Sequence, residues 1–287
     1  MADASGWAQA PGGRVSWRKI GSGSKTPLLT LHGGPGAGHD YLLPLAALAD
    51  ERPVIFYDQL GCGRSDSPPR EEIYTIQRSV EEVDAIRAAL GLERLILFGN
   101  SWGSVLAIEY LCQGRGRGVE KLILSGALAS VPQAAAGQQR LIDQLPNGGG
   151  ARMHELEAAN QESSPEYAAL AQQFYDRHVC RRIPYPPEVQ ASFDILANSV
   201  AYRVMNGPNE FTIIGVIKDW DRRADLGLIR IPTLITTGEF DEVTIDCHET
   251  IRDGIEGSRL EVFSDCSHLT MNEKPQEYVA ALRAFLD

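Results

Sequence analysis

The chain has 287 residues, enough for one large domain or for a domain that carries an insertion. Apolar residues make up 43% of the chain and charged residues 23%, which is typical of a soluble globular protein with a full core. There are 27 lysines and arginines against 38 aspartates and glutamates, so the formal net charge is −11. This acidic balance argues against nucleic acid or an anionic membrane as the main partner, and it permits a substrate that carries an amine.

Cysteine usage and the N-terminus favour a cytoplasmic protein. The five cysteines are odd in number, widely spaced and without a C-x-x-C pair, which favours free thiols over a disulfide framework or a zinc site. The N-terminal stretch lacks the apolar segment of a signal peptide, and no run approaches the ~18 apolar residues that span a bilayer. We therefore expect a soluble, cytoplasmic protein.

Short apolar runs alternate with helix-like segments along the chain. Residues 26–33 are predicted to form a buried strand that ends at glycine, and residues 52–65 a second strand closed by a glycine-rich turn. Residues 79–91 place apolar side chains at helical spacing and stop at a glycine. Further strands are predicted at residues 94–101, 120–127, 231–242 and 259–268, and further helices directly after residue 101 and at 274–287.

This alternation predicts an α/β fold with a mostly parallel central sheet and helices on both faces. Residues 130–225 interrupt the rhythm and are richer in Ala, Gln, Glu and Tyr. We interpret them as a mainly helical cap inserted between two parts of the core, 1–129 and 226–287. In such sheets the functional groups lie at the carboxyl ends of the strands.

One serine lies in the pattern G-x-S-x-G, at Gly99-Asn100-Ser101-Trp102-Gly103. A strand is predicted before it and a helix after it, the context in which a sharp turn exposes a serine oxygen as a nucleophile. Small flanking residues allow such a turn to pack closely. We expect Ser101 to be the nucleophile, although the pattern alone also fits an ordinary turn.

A serine nucleophile needs a base and an acid that orients the base, in the chain order Ser, Asp or Glu, His. Asp241 follows the strand at 231–242 and is the expected acid. Its competitors are Asp219 and Asp221, in a helical or loop context, and Glu239 within the turn.

His268 is the expected general base, because it follows one predicted strand and precedes the last helix. His248 falls in a helix-like run, where we expect a surface histidine. The remaining histidines are assigned to the insertion (His154 and His178), to a loop near the site (His39) and to structural hydrogen bonding (His32).

The oxyanion of the reaction needs N–H donors that are already in place. One is expected from the backbone of Trp102, directly after the nucleophile. The other is expected from the glycine-rich loop His32–Gly36, whose backbone can approach a substrate closely, and Gly34 is the chosen donor. Chemistry of this kind requires no metal and no cofactor.

Several motifs together resemble the proline iminopeptidase family of α/β-hydrolases, and among its members the archaeal tricorn-interacting aminopeptidase. They are LHGGPG, FYDQLGCGRSD, GNSWGS, AYRVMNGPNEFTIIGVIKDWD, PTLITTGEFDEVT and SDCSHLTMNEKPQEY. The resemblance covers nearly the whole chain from about residue 14 and implies the α/β-hydrolase fold. It also implies release of an N-terminal residue, often proline, from small peptides, amides or arylamides.

Family members hold the free α-amine of the substrate with acidic residues, which correspond here to Glu210 and Glu242. Carboxylate partners suit an ammonium group in a partly dry pocket. Tyr202, Phe211 and Trp220 are candidates for a side-chain pocket, with core packing as the alternative. Asn100 departs from the Gly, Ser or Gln that family members often have there, and its role stays open.

Other functions remain compatible with these residues. An esterase, a lactonase or a pathway-specific amide hydrolase would use the same triad, and a non-catalytic binding module could share the fold. A dehalogenase or an epoxide hydrolase would need a carboxylate at position 101, where this chain has serine. The preferred N-terminal residue and the oligomeric state are not readable from the sequence.

Overall fold

A computed structural model describes residues 3–287 of the chain. Within these residues eight strands form one sheet: β1 Ala4–Ala10, β2 Gly13–Ile20, β3 Leu28–Leu31, β4 Val54–Tyr57, β5 Leu95–Asn100, β6 Val119–Ser125, β7 Thr233–Gly238 and β8 Arg259–Phe263. Their spatial order is β1-β2-β4-β3-β5-β6-β7-β8. The hairpin β1–β2 and the pair β2–β4 are antiparallel, while every other neighbouring pair is parallel. The α/β-hydrolase architecture predicted from the sequence is therefore confirmed.

Ten α-helices accompany the sheet in the described part of the chain: α1 Ile76–Leu90, α2 Trp102–Cys112, α3 Val131–Asp143, α4 Gly149–Ala158, α5 Pro165–His178, α6 Pro187–Ala197, α7 Val200–Met205, α8 Ile245–Gly254, α9 Thr270–Glu273 and α10 Pro275–Leu286. Short 3₁₀ helices lie at Asp40–Asp50, Glu71–Ile73, Pro146–Gly148 and Arg223–Leu228. Helix α1 begins where the Thr75 hydroxyl accepts a hydrogen bond from the Arg78 N–H, and it ends at Gly91 in the left-handed conformation.

The sheet separates two hydrophobic cores because successive side chains of a strand point to opposite faces. In β5, Leu95 and Leu97 pack with α1 and α2 on one face. Ile96 and Phe98 pack on the other face, with the 3₁₀ helix Asp40–Asp50 and α10. Strands that are apolar on both faces need helices on both sides of the sheet. Their continuous apolar runs are therefore easy to recognise in the sequence.

The N-terminal hairpin was not predicted from the sequence. Strand β1 has the sequence ASGWAQA and lies at the edge of the sheet, with most of its side chains at least partly exposed. It therefore lacks the continuous apolar run that marked the inner strands. In the run 52–65 only β4 is strand, and the glycine-rich turn predicted to close it follows at residues 58–65.

Five helices, α3 to α7, lie between β6 and β7 and form the predicted helical insertion. The ends of this insertion meet at its base, where Ser130 and Asp221 form an antiparallel bridge and the Val131 N–H donates to the Trp220 carbonyl. The domain limits at 130 and 225 stay a prediction, and this bridge supports a boundary close to them. None of the helices in residues 3–287 has both the length and the apolar character needed to cross a bilayer.

Candidate active site

Ser101 occupies a sharp turn between β5 and α2. Its backbone has φ 55° and ψ −124°, a conformation that L-residues rarely adopt. The flanking glycines are required by close backbone contacts: a Cβ on Gly99 would lie 2.2 Å from the Gly103 carbonyl oxygen, and one on Gly103 would lie 2.0 Å from the Leu31 carbonyl oxygen. The turn can therefore form only with glycine at both positions.

Asn100, whose role the sequence left open, connects this turn to the glycine-rich loop. Its side-chain Nδ2 donates to the Ser125 carbonyl (3.1 Å), and its Oδ1 accepts from the Tyr41 hydroxyl (2.7 Å). The same hydroxyl accepts the backbone N–H of Gly33 at 2.7 Å. The Asn100 amide is buried and satisfied, so it fixes the position of the loop relative to Ser101.

His268 and Asp241 lie at the ends of β8 and β7 and are in direct contact. The imidazole Nδ1 of His268 is 2.7 Å from Asp241 Oδ1. The carboxylate also accepts the Thr237 hydroxyl (2.9 Å) and the Val243 N–H (2.9 Å). These donors hold Asp241 in place and leave the Nε2 atom of His268 directed away from it.

His248 is not the surface histidine that the sequence predicted. It is fully buried, and its Nε2 lies 4.0 Å from Asp241. The Nε2 atom accepts the Ala127 N–H at 2.9 Å, and Nδ1 lies 3.2 Å from the Thr244 carbonyl. The prediction was wrong because helix α8 turns this side chain toward the sheet, and burial lowers its pKa and keeps the ring neutral.

The end of helix α5 contacts both the turn that contains Asp241 and the turn that contains His268. The carbonyl oxygen of His178 accepts the backbone N–H groups of both Glu242 and His268, each at 3.1 Å. The His178 ring lies 2.8 Å from the Phe240 carbonyl, through Nδ1. No sequence pattern points to this contact, because it depends on where the insertion crosses the core.

The remaining candidates for acid and base lie elsewhere. Glu239 is exposed and accepts the Asp265 N–H, Asp221 pairs with Arg223, and Asp219 is exposed. Both ring nitrogens of His32 contact backbone groups, at 2.9 Å from the Gly33 oxygen and from the Gln59 nitrogen. The structural role predicted for His32 is therefore confirmed.

The two predicted oxyanion donors border the space in front of Ser101. Trp102 is the first residue of α2, where a backbone N–H has no partner within the helix. In the loop, the Gly33 N–H is occupied by Tyr41, whereas the Gly34 N–H has no acceptor within residues 3–287. Gly34 also lines the same cavity as Ser101.

Glu210 and Glu242 line that cavity as well. Glu210 accepts the Tyr202 hydroxyl (2.9 Å), and Glu242 accepts the Gln138 amide (3.3 Å). Burial and the negative charge of Glu210 raise the pKa of Glu242 to about 8, and burial also raises the pKa of Glu210. Two carboxyl groups in this setting disfavour full ionisation and favour a bound cation.

His268 responds to the same carboxylates. Its Nε2 atom lies 3.7 Å from Glu242 Oε1. Burial disfavours the charged ring, but Asp241, Glu242 and Glu210 together outweigh it and raise the pKa of His268 to about 9. The imidazole and the acidic pair therefore form one electrostatic unit.

The aromatic candidates divide between the cavity and the core. Tyr202 lines the cavity, which has a volume of about 430 Å³. Phe211 stacks on Tyr175 at a centroid distance of 5.6 Å and does not border the cavity. Trp220 is buried and donates its indole N–H to Glu109 at the base of the insertion.

All five cysteines are free thiols.

Comparison with known proteins places this chain and its fold in a family. Residues 26–275 match the family model described as alpha/beta hydrolase fold. The chain is 44% identical over 265 residues to a proline iminopeptidase of Thermoplasma volcanium, covering 92% of this chain and 89% of the relative. The solved structure of a Mycobacterium smegmatis proline iminopeptidase has a TM-score of 0.92 and 35% identity, covering 99% of this chain and 97% of that chain. The crystal structure of VinJ has a TM-score of 0.94 and 34% identity, covering 99% of this chain and 98% of that one. This chain belongs to the proline iminopeptidase family of α/β-hydrolases.

Proposed function

We propose that the protein is a serine hydrolase that releases an N-terminal amino acid, proline or another small or apolar residue, from short peptides, amino-acid amides or arylamides. The observation that carries this proposal is the position of Glu210 and Glu242 in the cavity that also contains Ser101 and His268. A nucleophile beside one buried and one half-buried carboxyl group suits a carbonyl compound with a free ammonium group nearby. Its partner is thus a small substrate with a free N-terminal amine.

In the acylation half-reaction, Ser101 Oγ attacks the carbonyl carbon while His268 Nε2 takes the hydroxyl proton. The backbone N–H groups of Trp102 and Gly34 bind the oxyanion of the tetrahedral intermediate. The C–N bond then breaks, and His268 gives the proton to the leaving amine. Asp241 orients the ring and stabilises its charged form throughout.

In the deacylation half-reaction, water attacks the acyl-enzyme and His268 again takes a proton. The C–O bond to Ser101 breaks, the serine oxygen recovers the proton, and the free amino acid leaves. Each proton and each leaving group is accounted for by the substrate, one water molecule and these side chains.

The substrate ammonium has a second effect on the base. Positive charge between Glu210 and Glu242 offsets the negative charge that stabilises the His268 imidazolium, so binding lowers the pKa of His268. A neutral imidazole is the form that takes the Ser101 proton. Binding of the amine therefore also favours the neutral form of His268, in which it acts as a base.

The test is a panel of aminoacyl arylamides, proline included, each assayed with a free and with an N-acetylated amine. The proposal expects hydrolysis of the free-amine substrates and loss of activity on acetylation. An esterase, a lactonase or a general amide hydrolase with the same triad would be indifferent to acetylation. Hydrolysis of the N-acetylated arylamides with all free-amine substrates inert contradicts the proposal.

A cytoplasmic location is part of the same proposal. It rests on the free thiols of all five cysteines, which suit a reducing compartment. Fractionation of the producing cells checks it: activity in the cytosolic fraction is expected, and activity confined to the secreted fraction contradicts it.

A further inference from the structure

Gln59 is a buried residue close to the catalytic serine that does not touch the space where substrate binds. It lies two residues after β4, at the edge of the sheet where His32 follows β3 and Trp102 follows the turn after β5. Strand β3 lies between β4 and β5, and the three strands are parallel, so these residues are neighbours. Gln59 is 3% exposed and does not line the cavity that contains Ser101. Any effect of Gln59 on the reaction must therefore act through other residues.

The side-chain amide of Gln59 joins the two segments that carry the predicted oxyanion donors. Its Oε1 atom accepts the indole N–H of Trp102 at 2.8 Å, and its Nε2 atom donates to the His32 carbonyl oxygen at 2.9 Å. An indole N–H only donates and a carbonyl oxygen only accepts, so the two partners fix the orientation of the amide. One end of the amide thus holds the residue after the nucleophile, and the other end holds the glycine-rich loop.

The hydrogen bond to the His32 carbonyl fixes the first peptide group of the glycine-rich loop. The N–H of the same peptide group belongs to Gly33 and donates to the Tyr41 hydroxyl at 2.7 Å. A peptide group is planar, so bonds at its oxygen and at its N–H hold it from both edges. Its position determines where the following peptide group, which carries the Gly34 N–H, can lie.

The ring of His32 orients that following peptide group. Burial lowers the pKa of His32 to about 4, so the ring is neutral. Its Nε2 atom accepts the backbone N–H of Gln59 at 2.9 Å, which leaves the ring proton on Nδ1 for the Gly33 carbonyl oxygen, also at 2.9 Å. The bond between Gly33 and Gly34 is trans, so the Gly34 N–H points away from this oxygen and has no acceptor within residues 3–287.

We propose that Gln59 is a positioning residue for the oxyanion hole, whose side-chain amide sets the separation of the Trp102 and Gly34 donors. This inference rests on the proposed function, because it assumes an oxyanion that these two N–H groups bind. Loss of one oxyanion donor costs roughly 10²–10³ in kcat, and a donor acts only at hydrogen-bond distance from the oxyanion. Removal of the Gln59 amide displaces the donors but leaves the groups that bind the substrate in place.

The first experiment replaces Gln59 by methionine, which keeps the length of the side chain and removes both of its hydrogen bonds. For a proline arylamide we expect kcat to fall about tenfold or more while KM stays within about threefold. An unchanged kcat in the folded variant overturns the inference, and so does a rise in KM that accounts for the whole loss of kcat/KM. Gln59→Asn, whose shorter side chain cannot span both partners, is measured if the methionine variant does not fold.

The matched control is Gln133→Met. Gln133 also joins two elements, because its Nε2 atom donates to the Asp246 carbonyl and to the Thr250 hydroxyl, but it does not line the cavity that contains Ser101. We expect kcat and KM of this variant to equal those of the parent protein, and an equal loss of kcat in both variants overturns the inference. A parent protein that is inert toward every free-amine substrate overturns the proposed function instead.

The second experiment is a double-mutant cycle between Gln59 and Trp102. Trp102→Phe removes the indole N–H and keeps the backbone N–H that binds the oxyanion. We expect this change to lower kcat about fivefold or more in the parent protein, and about twofold or less in Gln59→Met, where the hydrogen bond is already absent. Equal losses in the two backgrounds overturn the inference.

The third experiment measures the oxyanion hole separately from substrate binding. Pyrrolidine-2-boronic acid forms a tetrahedral adduct with a serine nucleophile and so mimics the intermediate, whereas prolinol has the same ring and amine without the boron centre. We expect Gln59→Met to raise the inhibition constant of the boronic acid about tenfold or more and to leave that of prolinol within about twofold. An unchanged ratio of the two constants overturns the inference.

Discussion

The Nε2 atom of His268 lies 3.7 Å from Oε1 of Glu242, a residue that also borders the cavity shared with Ser101. At this separation the charge of one group strongly affects the ionisation of the other. The group proposed to bind the substrate amine therefore also affects the ionisation of His268, the proposed general base. Because of this coupling, the charge of a bound substrate affects the ionisation of His268 as well as substrate binding.

Replacing Glu242 by glutamine is expected to shift the pH profile of the enzyme to lower pH. Glu242 is one of the carboxylates that raise the pKa of His268 to about 9, so its removal destabilises the imidazolium and lowers that pKa. The acid limb of kcat/KM should then move down, measured with p-nitrophenyl acetate, which has no amine. Glu239→Gln is the matched control, because Glu239 is exposed and contacts the Asp265 backbone. An unchanged limb or a shift to higher pH contradicts the coupling.

Replacing Ser101 by alanine is expected to reduce kcat for a proline arylamide by a factor on the order of 10⁴ or more. The change removes only the oxygen and keeps a small side chain on the turn, so the circular dichroism spectrum and the urea midpoint should stay close to those of the parent protein. Activity near the parent level in a folded Ser101→Ala protein would rule out the proposed nucleophile.

The hydroxyl group of Tyr41 is expected to stabilise the fold. Tyr41→Phe leaves the Gly33 N–H and the Asn100 Oδ1 without their partner, which costs about 2 kcal/mol of unfolding free energy. Tyr57→Phe is the control, because the Tyr57 hydroxyl is buried without a hydrogen-bond partner among residues 3–287 and its loss costs about 0.5 kcal/mol or less. Urea unfolding of both variants measures the difference, and equal effects would show that the network does not position the loop.

Glu109 is expected to hold the base of the insertion against helix α2. It accepts hydrogen bonds from Arg222 and from the Trp220 indole, and the Arg222 contact comes first among the causes that lower its pKa to about 2. Glu109→Gln should cost about 2 kcal/mol at pH 7. Glu249→Gln, at an exposed pair with Arg252, should cost about 0.5 kcal/mol or less.

The pH dependence of the difference in unfolding free energy between the parent protein and Glu109→Gln gives a second check on the role of Glu109. A carboxylate whose pKa is lowered by folding stabilises the protein above its ordinary pKa, and that contribution is lost as the pH falls. The gap in unfolding free energy between the parent protein and Glu109→Gln should therefore shrink as the pH falls from about 5 towards 2. A gap that stays constant over this range would mean that Glu109 acts through packing and not through its charge.

Much of the architecture and of the candidate site was predictable because it depends on local patterns. The inner strands are apolar on both faces, and Ser101 and Asp241 each follow the end of such a strand, while His268 follows the edge strand β8. Carboxyl ends of parallel strands meet at one edge, so residues far apart in sequence were expected together. His268 and Asp241 are indeed 2.7 Å apart, which is a hydrogen-bond distance.

The features that could not be predicted depend on tertiary packing. The edge strand β1 has little apolar pattern because much of it faces solvent. The polar sequence of its helix predicts His248 at the surface, yet the helix packs this ring beside Asp241. The role of Asn100 could not be predicted, because its partner Tyr41 is 59 positions away in the chain.

The most direct test of the central claim is the ratio of kcat/KM for alanine benzylamide to that for its N-acetyl derivative. The ratio is measured for the parent protein, for Glu210→Gln, for Glu242→Gln and for the control Glu239→Gln. The account predicts a ratio of about 10² or more in the parent protein and in the control, and a fall of at least tenfold in each of the other two variants. A parent ratio near one, or a high ratio that survives both substitutions, would contradict recognition of the amine by Glu210 and Glu242.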